Sequence, residues 1–103
     1  MKKIMYRAVY NRKKQLRLDG KGLIQIEAYL ERRRMYVSTH IYIYPSQWDD
    51  MKRKICHHPH AEELNWMIAE RMVQMEAMEI DLWKRGEEVT LRRLKEAAGR
   101  GSA

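Results

Sequence analysis

The chain is 103 residues long, enough for one domain with a modest core, and its 21 Lys/Arg against 14 Asp/Glu give a formal charge of +7. No apolar run approaches the roughly 18 residues a membrane span requires, the opening Met1-Lys2-Lys3-Ile4-Met5-Tyr6-Arg7 lacks the apolar segment of a signal peptide, and the single Cys56 can make no internal disulfide. A membrane protein and a disulfide-stapled secreted module are thereby set aside, and a cytoplasmic location is expected. The charge is also asymmetric: residues 1–34 carry eleven Lys/Arg against three Asp/Glu, whereas residues 35–103 carry ten against eleven. A basic excess confined to one third of the chain points to a polyanionic partner, nucleic acid before a membrane surface, because these cations fall on strands and loops instead of on an amphipathic helix.

In chain order, residues 3–10 combine β-branched and aromatic residues with rough alternation and predict a first strand. The polar stretch Asn11–Gly22 follows, with Arg12, Lys13, Lys14, Arg17 and Lys21, and its Asp19-Gly20-Lys21-Gly22 supplies turn chemistry. Residues 23–30 and 35–44 then alternate across a charged break, Glu31–Arg34, and predict a hairpin. Ile24, Ile26, Ala28 and Leu30, with Val37, Thr39, Ile41 and Ile43, fall on one face. Gln25, Glu27 and Tyr29, with Tyr36, Ser38, His40, Tyr42 and Tyr44, fall on the other. The break lacks Asn-Gly or Asp-Gly, so a two-residue type I′ connection is not expected. Pro45 ends the ladder, Trp48 is placed against the core, and residues 52–55 read as a short edge strand.

From His60 to Trp83 the spacing of Leu64, Ile68, Met72, Met75, Met78 and Leu82 predicts a helix of about 24 residues, with Trp66, Met67 and Val73 widening its apolar stripe. His60 and Glu63 suggest a weak capping box, and Lys84-Arg85-Gly86 a glycine stop. Six acidic residues and one basic residue lie between Ala61 and Trp83, so phosphate would repel this helix, and its expected place is over the sheet. Thr90 caps a second pattern, Leu91, Leu94, Ala97 and Ala98, and disorder is expected for residues 99–103. The fold class is α+β: a three-stranded antiparallel sheet packed against one long C-terminal helix (βββα), with the start of a further helix.

Cys56-His57-His58-Pro59-His60 raises a metal site, but zinc sites draw ligand pairs from two separated places and the only other histidine is His40. The cluster reads as a loop and helix cap, and no metal or cofactor is expected. No separated nucleophile, base and orienting group appear, nor a phosphate-cradling glycine loop, so neither catalysis nor a small-molecule substrate is expected. The helical methionines Met67, Met72, Met75 and Met78 read as core filler, with a groove for a partner helix as the alternative.

Tyr6–Lys14, the 23–30 strand, Arg33–Ile41 and Pro45-Ser46-Gln47-Trp48-Asp49 together resemble the N-terminal arm-DNA-binding domain of phage-type integrases, the tyrosine recombinases of mobile elements. The resemblance covers most of residues 3–85, and residues 89–97 are similar to the opening of the helical core-binding domain that follows in that family. It implies a non-catalytic module at 1–86, a linker and the beginning of a core-binding domain at 87–103, and further recombinase domains in a parent chain. It also implies sequence-specific binding of double-stranded DNA, with the sheet laid in the major groove at accessory arm-type sites. Lys13, Lys14, Arg32, Arg33 and Arg34 are the candidate phosphate contacts, and Arg12 is a further DNA-binding candidate. Arg7, Gln25, Tyr29, Tyr36, Ser38 and His40 are the candidates for base edges or close backbone contacts. Two other classes compete: a protein-interaction module using the Met-rich helix, and RNA binding through aromatic strands, which lacks the paired aromatic–glycine signature of RNA-recognition domains.

Overall fold

A computed structural model describes residues 3–100. Strands β1 (Met5–Tyr10), β2 (Gly22–Leu30) and β3 (Arg33–Ile43) form an antiparallel sheet in the order β1-β2-β3. A 3₁₀ turn at Pro45–Gln47 leads to a two-stranded ribbon of β4 (Trp48–Asp49) and β5 (Lys54–Ile55), and two helices follow, α1 (Ala61–Lys84) and α2 (Leu91–Arg100). The α+β sheet is the expected one. Its cover is built from two helices instead of one, since Leu94 and Ala98 of α2 are buried, Leu94 in one cluster with Ile4, Ile26, Ala28, Met35 and Met75.

Period-two alternation puts Ile24, Ile26 and Ala28 at zero exposure on the face toward the helices. A second cluster joins Ile24 to Ala8, Ile43, Ile55 and Ile68. Each such isoleucine contributes about 1.5–3 kcal/mol through burial. Val37 and Ile41, expected to be buried on this face, are only partly buried and pack on the margins of these clusters. Gly22 is needed where β2 begins: a Cβ there would lie 2.9 Å from the Tyr10 ring, and the Tyr10 hydroxyl donates to the Ile43 carbonyl at 2.9 Å.

Two features of β3 depart from expectation. The hairpin closes through two residues, Glu31 and Arg32, with φ of 50° and 67°; positive φ at both central positions is the type I′ signature, because that turn matches the twist of the flanking strands. The sheet thus imposes a left-handed backbone on residues that do not favour it. Farther along, Gln25 pairs with Ser38 but Ile24 pairs with Ile41, leaving Thr39 and His40 as a bulge, with His40 at φ 61°. The Thr39 hydroxyl pins it, donating to the Ile24 carbonyl at 2.7 Å and accepting from the Ile41 N–H at 3.1 Å. Two extra residues preserve parity, so Ile41 and Ile43 stay on the core face.

Buried Glu79 of α1 fastens the start of the sheet, accepting from the Ile4 N–H and the Tyr6 hydroxyl, each at 2.9 Å. Burial, then the hydrogen bond to Glu79 and its charge, pushes the Tyr6 phenol well above its ordinary range. Asn65 holds β5 as a strand would, accepting from the Ile55 N–H at 2.8 Å and donating to its carbonyl at 2.9 Å. Helix α1 ends as the glycine stop anticipates: Gly86 has φ 75°, its N–H reaches the Trp83 carbonyl at 3.0 Å, and the Glu87 N–H reaches Leu82 at 3.1 Å, which is a Schellman closure. The Thr90 hydroxyl caps α2 by accepting from the Arg93 N–H at 3.1 Å. His60, by contrast, makes no side-chain cap. Trp66, Met67 and Val73 are exposed, so they do not widen the core stripe. Gly99 and Arg100 belong to α2 instead of a disordered tail, and residues 101–103 lie outside the described residues.

Candidate nucleic-acid interface

Strand register fixes which side chains share the outer face, the one turned from the helices. Arg7 pairs with Glu27 and Glu27 with Tyr36; Met5 pairs with Tyr29 and Tyr29 with Arg34; Val9, Gln25 and Ser38 line up likewise. The centre of this face is a carboxylate. Glu27 is 5% exposed and accepts from Arg7 Nε at 2.8 Å and the Tyr36 hydroxyl at 3.1 Å, with Arg34 Nε at 3.7 Å. Burial acts to raise its pKa, but the hydrogen bonds from Arg7 and Tyr36 and the charges of Arg7 and Arg34 outweigh it, so the carboxyl lies below its usual range and stays ionised. One buried anion therefore orients two guanidinium groups and a phenol on the outer surface.

The basic loop before β2 is hydrogen-bonded to itself. The Gln15 N–H donates to Asn11 Oδ1 at 3.0 Å, Arg17 N–H to the Lys21 carbonyl at 2.8 Å, and Lys21 N–H to Asp19 Oδ1 at 3.1 Å. This folding-back lays cations over strand tyrosines. Arg12 sits 3.8 Å from the Tyr36 ring centroid, Arg17 4.3 Å from Tyr42 and Lys21 5.2 Å from Tyr44, while Arg34 sits 5.0 Å from Tyr29. Each such pair is worth about 0.5–1 kcal/mol at an exposed site, and it leaves the guanidinium edges open to an anion. Between loop and sheet runs a cleft of about 220 Å³, lined by Asn11, Arg12, Lys13, Gln15, Arg17, Lys21, Leu23, Gln25 and Tyr42.

Arg7, Gln25, Tyr29, Arg34 and Tyr36 share the outer face, and Arg12 and Lys13 border it from the loop. Ser38 lies opposite Gln25, but its hydroxyl accepts from the His40 N–H at 3.0 Å. Lys14, at φ 54°, is exposed on the loop, and Arg32 is exposed at the hairpin tip. Arg33 pairs with Leu30 and so points to the helix side of the sheet, apart from Arg34. His40 borders a groove with Met67, Glu70 and Arg71 of α1, away from the cleft. The sequence candidates omit Glu27, Arg17, Lys21, Tyr42 and Tyr44. Their signal is the interleaving of tyrosines with cations, together with one acid at a strand centre amid a basic segment.

In the histidine segment, His58 Nδ1 accepts the His60 N–H at 2.9 Å, and among the described residues no three His, Cys, Asp or Glu side chains are grouped as metal ligands. No helix among the described residues is long and apolar enough to cross a membrane. Among the helical methionines Met75 is fully buried, Met72 and Met78 pack on the core and only Met67 is half exposed, where it borders the groove beside His40. A family model described as an arm DNA-binding domain matches residues 9–95. No curated protein and no solved structure matches the chain.

Proposed function

Because this chain belongs to the arm DNA-binding domain family of phage integrases, a family of non-catalytic DNA-binding modules, we propose that the outer sheet face and the basic loop grip duplex DNA in a sequence-specific manner. The observation that carries this reading is the stacking of Arg12, Arg17 and Lys21 on tyrosines around the cleft that Gln25 lines, with Arg34 stacked on Tyr29 farther along the outer face. Cations pre-set in this way lose little rotamer freedom when they meet phosphates. Three strands about 4.8 Å apart make a ribbon about 10 Å across, which a major groove about 12 Å wide accepts.

On this reading Arg12, Lys13, Lys14 and Arg32 contact phosphates, joined by Arg17 and Lys21, and Arg33 reaches the backbone beyond the hairpin tip. Gln25 is the strongest base-edge candidate, since a side-chain amide can make a bidentate pair with adenine. Arg7 and Tyr36 stand next along the outer face beside Glu27, Tyr29 and Arg34 lie beyond them, and Ser38 and His40 act through the bulge. The module would serve the accessory-site step of a site-specific tyrosine recombinase in a mobile element, with α2 both closing its core and leading from the binding unit (1–86) into a core-binding domain begun at 87–103.

The test is binding to a duplex enriched from a randomised pool and to its scrambled counterpart, at two salt concentrations. Lys13→Ala should weaken both duplexes alike and flatten the salt slope by about 0.9 for each phosphate left unneutralised. Gln25→Ala should weaken only the enriched duplex, by about 1–3 kcal/mol. Equal wild-type affinity for both duplexes would reduce the reading to non-specific electrostatics.

A further inference from the structure

Helix α1 is apolar on two opposite faces. Ile68 and Met75 are buried against the sheet and Leu82 is buried farther along the same side. On the far side Trp66 is 66% exposed, Val73 64% and Ile80 45%, and Trp83 follows at 55%. Residues 66, 73 and 80 are seven apart, and Ala69, Glu76 and Trp83 stand three residues after each, the three-and-four spacing of a helix-pairing seam with one acid, Glu76, inside it. An apolar row on a helix is ordinarily covered. The sheet, the β4–β5 ribbon and α2 cover only one side of α1.

We infer that this seam docks an amphipathic helix whose apolar stripe is flanked by Lys and Arg, supplied by another protein. The charge beside the seam selects that occupant. Glu63, Glu70 and Asp81 lie along one flank and Glu62 and Glu76 stand in the seam row itself, whereas the only basic residue within α1 before its last turn is Arg71. Asp81 and Glu76 are already paired, with Arg85 at 2.9 Å and Lys3 at 3.4 Å, but Glu63 and Glu70 have no ion pair among the described residues. A second copy of this chain is a poor occupant. Antiparallel pairing about Val73 sets Glu70 of one copy beside Glu76 of the other, and parallel pairing sets each acid against itself. A flanking row of Lys or Arg turns the same positions into attraction and supplies specificity at the rim. The seam lies on the helix side of the sheet, with Val73 bordering the β1 edge beside Lys3 and Ile4 and Glu70 bordering the bulge beside Ser38 and His40, so helix docking leaves the outer face and the basic loop open to DNA.

The probe is a 21-residue peptide with Leu at every a and d position and Lys at e and g, compared with the same peptide carrying Glu at e and g. Binding is read from the emission of Trp66 and Trp83 and checked by sedimentation of the protein alone. The Lys peptide should shift emission to the blue and bind at least tenfold tighter than the Glu peptide. The pair Val73→Gln and Ile80→Gln should abolish that shift while leaving the melting temperature and DNA affinity as in the wild type. The pair Glu63→Gln and Glu70→Gln should remove most of the preference for Lys. Equal binding of the two peptides, or no binding of either, overturns the inference, as does a doubled mass of the protein alone, which would make a second copy the occupant.

Discussion

Glu27 is the residue whose replacement most sharply separates folding from recognition. Glu27→Gln keeps the shape and an acceptor for the Tyr36 hydroxyl but removes the charge that holds Arg7 at 2.8 Å and Arg34 at 3.7 Å. Hydrogen bonds to a buried charge reach about 1.5–3 kcal/mol. The arginine partners, however, have 47% and 51% of their side-chain surface exposed, so solvent screening pulls each pair toward the surface value of about 1 kcal/mol or less. A stability loss of about 1–2 kcal/mol is expected in urea melts at neutral pH. DNA binding should respond in the opposite sense. Deleting an anion from the interface and freeing two arginines should raise affinity for scrambled duplex and steepen the salt slope by up to about 0.9 for each phosphate newly met. Affinity for the enriched duplex should rise less, so the specificity ratio falls. Glu27→Asp should recover part of that ratio. The pH dependence supplies a second check: the folded carboxyl lies below its ordinary value of 4.5, so its stabilisation is complete above that pH and is lost as pH falls through the lowered folded value. The Gln variant should show a smaller acid loss. An unchanged specificity ratio together with an unchanged urea midpoint would refute the assignment of Glu27 as organiser of the outer face.

Ile26→Ala deletes a side chain of zero exposure at the centre of the core and should cost about 2–5 kcal/mol in denaturant unfolding; an unchanged midpoint would contradict the assignment of the buried face. Arg32→Gly relieves a left-handed φ of 67°, a strain of about 1–2 kcal/mol offset by about 0.5–1 kcal/mol of backbone entropy, so the fold should gain up to about 1 kcal/mol while affinity for both duplexes drops. Tyr6→Phe removes the donor to Glu79. Because the folded phenol is raised above its ordinary 10.0, the stability it lends is complete below that pH and fades as pH rises through the folded value, so the variant should be weaker at pH 7 yet lose less than the wild type in melts above pH 10.

Periodicity carried most of the fold in the sequence, because a one-residue slip in any strand would turn its isoleucines into water. Ile24, Ile26, Ile68, Met75 and Leu82 were legible on that ground, and Gly86 and Thr90 were legible as a stop and a cap because their chemistry is local. The two-residue turn at Glu31-Arg32 was hidden, since nothing in those side chains favours positive φ and only the twist of the paired strands demands it. The Thr39-His40 bulge was hidden for a related reason: an even insertion leaves the alternation intact. Trp66 and Val73 show the limit of periodicity on a helix with two apolar sides, where spacing names the faces but not which one is covered. At the candidate interface, charge asymmetry located the basic segment. It could not tell that Arg33 and Arg34, adjacent in sequence, leave opposite faces of β3, nor that the loop folds back to lay Arg12 on Tyr36.

The separation of charge across the fold bears on how such a domain would meet a duplex. Residues 1–34 hold the whole basic excess, and the loop, the strands and the hairpin tip distribute it around the outer face. The acids of α1 lie on the helix side of the sheet, Glu70 at its β3 margin beside His40, in a molecule measuring 44 × 28 × 25 Å. With a screening length of about 8 Å at physiological ionic strength, carboxylates on the far side of a body of this thickness scarcely oppose phosphate held at the sheet. Approach helix-first, however, brings Glu63 and Glu70 within one screening length of the duplex and is repelled. The same charges that would be a liability on the binding face therefore select the productive orientation during encounter. Glu63→Gln with Glu70→Gln removes that selection and also makes the chain more positive, so collisions with any duplex become more frequent while a smaller share of them is productive. In stopped-flow association at low salt, the double variant should capture scrambled duplex faster by a larger factor than it captures enriched duplex. That difference should shrink as added salt shortens the screening length, and equal acceleration for the two duplexes at low salt would count against orientation by the helix.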